Sequence, residues 1–132
     1  MSTSGSPLAY LLSAADAVRQ QLQVDKFDAA AVQQLDAFIE AQRPDIKPAD
    51  KQGVVTALGC FLGQCMVATY GGTWAKGPDG TTGVGINQNS FFNPFYRVLQ
   101  QLDKGQPESV VVFFAGIPER LAAAPRRKNW IS

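Results

Sequence analysis

At 132 residues the chain is long enough for one domain with a real core, and its 45% hydrophobic and 17% charged content is ordinarily globular. A net charge of +1 provides no overall field that would favour nucleic acid or an anionic membrane. There is no histidine, which removes the commonest general base, the usual metal ligand and every Ser-His or Cys-His arrangement.

The N-terminal MSTSGSP lacks the basic and apolar regions of a signal peptide, so a cytoplasmic protein is expected. Pro7 suits a first helical turn. Leu8, Leu11, Leu12, Ala15, Val18 and Leu22 recur at three- and four-residue steps and predict one apolar helix face. Asp25 is the expected cap of a second helix, whose face is Phe27, Ala31, Leu35, Phe38 and Ile39 and which ends before Pro44. RPDIKPAD then reads as a linker. Asp16, Arg19, Lys26, Asp28, Asp36 and Glu40 fall opposite these faces and are expected to be solvated.

From Gln52 to Ala75 no residue is charged. Such a run has the length of a membrane span. However, Thr56, Gln64, Thr69 and the glycines at 59, 63, 71 and 72 lower its hydrophobicity, and the preceding helices are amphipathic in the manner of soluble proteins. The expectation is a central helix over 49–70, with Pro48 in its first turn and Gly71-Gly72 supplying a left-handed end. Gly59 and Gly63 share a face and would let a neighbouring element approach closely. Cys60 and Cys65 point about 140° apart on a helix, which disfavours a disulfide. Reduced, buried thiols with a raised pKa are expected.

TWAK and TTGVGIN flank GPDG and predict a β-hairpin over 73–87, with Val84 and Ile86 on one face. A polar loop, NQNS, follows. Asn93-Pro94 reads as the cap and first turn of a helix over 94–104, whose face is Phe95, Val98, Leu99 and Leu102 and which Gly105 stops. The run ESVVVFFAGIP is open between strand and helix: its valines and phenylalanines favour a strand, while Pro107-Glu108-Ser109 and Ala115, Gly116 and Pro118 read as helix ends. Residues 1–6 and the basic end, 122–132, are expected to be flexible termini of the single domain.

Little in this pattern carries chemistry. Gly77, Gly80, Gly83 and Gly85 lack the strand-glycine-helix order of a phosphate cradle. They fit turns, and strand positions over which an aromatic such as Trp74 or Phe92 can lie. There is no GxxxxGK[ST] and no SxxK, and Asp79, Asp103, Glu108 and Glu119 have no ligand spacing. Arg120, Arg126, Arg127 and Lys128 with Trp130 could contact single strands, but so short a cluster reads as a solvated tail. No catalytic residue, cofactor, metal, nucleic acid or membrane is expected. The uncharged, amide- and aromatic-rich set Asn87, Gln88, Asn89, Phe91 and Phe92 is the candidate surface for a protein partner. The alternative is a ligand-binding or enzymatic domain with a polar pocket between hairpin and central helix, drawing on Gln64, Tyr70, Trp74 and Asn87.

LGCFLGQCMVATYGGTW, followed by a hairpin and FFNPFYRVLQQL, resembles small, mostly bacterial domains of unknown function with an L-G-x-x-x-G, G-G-x-W and N-P-[FY] pattern. The resemblance spans roughly residues 50–117. It implies a helical domain with a small β-element, a helix over 108–117, and no established catalysis. A carboxylate often follows the second glycine of that pattern. Gln64 stands there in this chain, so any role of that acid does not carry over. By analogy, compact cofactor-free bacterial domains of this size serve as immunity proteins, inhibitors or adaptors. The expected whole is an α+β, mostly helical interaction domain with a central apolar helix and a small β-hairpin.

Overall fold

The computed structural model describes residues 7–77, 79–87 and 90–123. Helix α1 spans Pro7–Leu22, α2 Ala29–Gln42, α3 Pro48–Tyr70, α4 Pro94–Lys104, α5 Val110–Ala115 and α6 Ile117–Ala123, with a 3-10 turn at Gln106–Glu108. Strands β1 (Thr73–Lys76), β2 (Thr82–Ile86) and β3 (Ser90–Phe92) form an antiparallel sheet in that order. The mostly helical α+β architecture with an apolar central helix agrees with the sequence reading.

Helix α3 is the hub. Val55, Leu58, Phe61, Leu62, Cys65 and Met66 bury around most of its circumference, and α1, α2 and α4 pack on it. The Phe27 ring sits 5.5 Å from that of Phe61. Full burial of a side chain such as Phe61 or Leu62 contributes about 1.5–3 kcal/mol. Among the described residues α3 is also the one helix long and apolar enough to cross a membrane, and half of its most apolar window is buried inside the fold. Its glycines act as their spacing suggests. A Cβ on Gly59 would lie 2.2 Å from the Phe95 ring, and one on Gly63 would lie 2.2 Å from the Trp74 ring. Both large rings therefore rest directly on the helix backbone. Gly71 ends the helix at φ 74, its N–H donating to the Val67 carbonyl.

In the sheet, Trp74, Val84 and Phe92 stand opposite one another across the three strands. Val84 and Ile86 are fully buried against the helices. The aromatic over the strand glycines is Phe91, which lies across Gly77 and Gly83, rather than Trp74 or Phe92.

Several details depart from expectation. Asp28, not Asp25, caps α2, accepting from the Ala31 amide at 3.0 Å. The segment read as a loop continues into β3, so the hairpin becomes a three-stranded sheet. The run left open between strand and helix is helical over Val110–Ala115, capped by Ser109, in keeping with the expected helix over 108–117. The helix end read at Ala115, Gly116 and Pro118 is present, since α5 stops at Ala115, but Pro118 then opens a further helix. It occupies the first turn of α6, a position where its missing N–H costs nothing, so residues 122 and 123 are helical rather than part of a flexible end. The expected flexible segments 1–6 and 124–132 lie outside the described residues. Asp36, read as solvated, is buried at 9% exposure because the α4–α5 region closes over it.

Candidate functional site

The residues singled out in the sequence separate into two places. Asn87 is exposed at the turn between β2 and β3, with φ 59, a conformation asparagine tolerates better than most residues. Gln88 and Asn89 lie outside the described residues. Phe91 and Phe92 are half-buried: the first covers strand glycines, and the second packs edge-on to Phe113 with ring centroids 5.8 Å apart. Gln64 and Trp74 are brought together, the indole N–H donating to Gln64 Oε1 at 3.0 Å. Tyr70 is engaged elsewhere: its hydroxyl donates to the Phe114 carbonyl at 2.8 Å, and burial pushes its phenol pKa up. Of the described members of this set only Trp74 lines the cleft beside the hairpin.

Both thiols are free and fully buried. Burial pushes Cys60 up to about 11 and Cys65 up to about 12, so neither presents a thiolate at neutral pH. Among the described residues no group of three His, Cys, Asp or Glu side chains could hold a metal ion.

A buried polar network joins α2 to the α4–α5 region. Ser109 donates its hydroxyl proton to Asp36 Oδ2 and accepts from the amides of Val111 (3.1 Å) and Val112 (3.4 Å). Gln106 donates to Asp36 Oδ1 at 2.8 Å. One turn along α2, Glu40 accepts from Gln101, whose carbonyl oxygen accepts from the Val110 amide, both at 2.8 Å. Burial alone would raise the Asp36 pKa, but the donors from Ser109, Gln106 and Val111 outweigh it and hold the carboxyl below its ordinary value. The Ser109 oxygen faces two amides and its proton is held by an ionised carboxylate. That is a helix cap relayed to a buried charge, and it leaves no lone pair poised for attack on a substrate.

A second cluster, of arginines and aromatics, lies along α5 on a cleft that Ser109 also lines. Arg97 of α4 places its guanidinium 4.5 Å from the Phe113 ring centroid, and Arg120 of α6 places its own 5.7 Å from the same ring. Arg97 also reaches the Tyr96 ring at 5.8 Å. Neither guanidinium forms a salt bridge among the described residues. Burial, reinforced by the charge of Arg120, pulls the Arg97 pKa down, and Glu108 opposes that shift. A cleft of about 480 Å³ opens between them, with Glu108 and Glu119 also on its walls. Val112, 70% exposed, borders it, and Tyr96 alongside is 50% exposed. No local pattern marks this face, because α4, α5 and α6 bring together residues spaced over two dozen positions and Arg120 reads locally as part of the basic tail. Comparison with protein-family models, with curated proteins and with solved structures found no match.

Proposed function

We propose that this chain is a non-enzymatic, cytosolic partner-binding domain that neutralises or couples another protein, and that it engages that partner through the Tyr96–Arg97–Phe113–Arg120 face. The observation that carries this reading is the pair of guanidiniums converging on one phenyl ring without a salt-bridge partner among the described residues. Arginine and tyrosine dominate the energetic centres of protein interfaces, and a stacked guanidinium is already oriented for carboxylates arriving from outside. Exposed Val112 and Tyr96 supply apolar area beside those charges. A partner offering acidic groups next to an apolar anchor is the complement. The aromatic loop of the sequence reading contributes from behind, since Phe92 braces Phe113.

The test is affinity isolation and cross-linking from the native host with three forms: the wild type, the Arg97→Gln/Arg120→Glu double variant, and Tyr10→Ser on the distant α1. The wild type and Tyr10→Ser should each bind a stoichiometric partner, and the arginine variant should bind it at least about tenfold more weakly, the equivalent of about 1.4 kcal/mol. Retention of the partner by a folded arginine variant would refute the assigned face. Absence of any stoichiometric partner would refute the function.

A further inference from the structure

A second cleft, of about 560 Å³, lies on a different side of the molecule, between the start of α1 and the sheet, and is floored by α3. We infer that it is a binding site for a small amphipathic carboxylate, a single apolar chain with one anionic head. The walls are apolar: Leu8 and Leu11 on α1, Val55 on α3, Trp74 on β1 and Phe95 on α4. Its volume falls within the range of about 300–1,000 Å³ typical of small-molecule sites. Of the polar side chains on its walls, Thr56 and Trp74 are engaged within the fold, while Tyr10 and Thr82 carry hydroxyls at its edges. The Thr56 hydroxyl donates to the Gln52 carbonyl at 2.9 Å, and the Trp74 N–H is held by Gln64. The apolar walls offer mainly dispersion and burial, which favours an apolar chain.

The head group is set by charge. Among the described lining residues Lys76 carries the only charge, and it forms no salt bridge among the described residues. It stands at the end of β1, opposite Thr82. An ammonium at the mouth of an otherwise neutral apolar cleft complements one carboxylate and gives nothing to a cation. The Trp74 and Phe95 rings, 6.1 Å apart, are fixed in place by Gly63 and Gly59 beneath them, so this wall exists before a ligand arrives. Leu8, 49% exposed on the opposite wall, would be covered on binding.

The probe is decanoate below its micellar concentration. Trp130→Phe leaves Trp74 as the sole indole, so fluorescence reports the cleft directly, and calorimetry gives stoichiometry. One-to-one saturable binding is expected, weakened about tenfold by Lys76→Glu, an exposed and fold-neutral change. Decanol should bind more weakly than decanoate to the wild type and comparably to Lys76→Met. Thr56→Phe fills the floor and Leu8→Phe narrows the opening from α1; each should reduce binding with unchanged circular dichroism. The inference is overturned by the absence of saturable binding, by equal affinity for decanol and decanoate in the wild type, or by indifference to Lys76→Glu. It is also overturned if both filling variants fold and bind as the wild type does.

Discussion

The Asp36–Ser109 contact can be measured as a coupling. In Asp36→Ala, Ser109, itself 5% exposed, loses its acceptor. Gln106 is exposed and regains water, and the Val111 amide keeps Ser109 Oγ at 3.1 Å. The cost is thus about one hydrogen bond to a charged group plus a small void, together about 3 kcal/mol. In Ser109→Ala the same bond is lost and the α5 cap with it, again about 3 kcal/mol, because a buried carboxylate is left short of a donor. The shared bond is counted once in the double variant, which should lose about 4 kcal/mol and so give a coupling of about 2 kcal/mol. Urea unfolding followed by both circular dichroism and tryptophan fluorescence supplies the four free energies. The folded pKa of Asp36 lies below its ordinary value of 3.8, so its contribution is present above that pH and is lost as pH falls through the folded value. The coupling should therefore be full at pH 7 and fade below about pH 3.8. Additive single-variant costs at pH 7, or a coupling that does not change with acidification, would refute the reasoning.

Two further outcomes follow from burial and close approach. Gly63→Ala should destabilise the fold by about 1–3 kcal/mol in urea unfolding because its methyl meets the Trp74 ring. By contrast, Gly53→Ala on the same helix, with nothing within 4 Å, should stabilise it by about 0.5–1 kcal/mol. Cys60 and Cys65 should react negligibly with a thiol reagent at pH 8 in the native protein, since burial raises both pKa values well above that pH, and both should react once the chain is unfolded.

Local chemistry made much of this fold legible. Pro7, Asn93-Pro94 and Gly71 mark helix ends by backbone rules that need no tertiary partner. The Gly59/Gly63 spacing announced a close approach, although not which rings would make it. The failures share a cause. Asp25 and Asp28 are both good caps locally, and the one used is Asp28, next to Phe27, whose ring packs on Phe61. Ser90–Phe92 is too short to show a strand period and becomes a strand by pairing with β2. Asp36 has the helical position of a surface acid, and its donors are seventy or more residues away. Both clefts are likewise assembled from elements that no local pattern links. Of the proposed sites, then, the sequence exposed Trp74 and the bracing Phe92 but not the charges that face a ligand.

The separation between Asp36 and Ser109 bears on how the protein is made. Synthesis runs from the N-terminus, so α2 is complete while residues 106–111, which supply the donors to Asp36, have not yet been joined to the chain. During that interval the donors to Asp36 and the α5 surface against which α2 packs are not yet available. The last quarter of the polypeptide therefore acts as a gate on the maturation of the first third. A ribosome stalled within α4 should hold an α2 that a protease still reaches, whereas the released 132-residue chain should not.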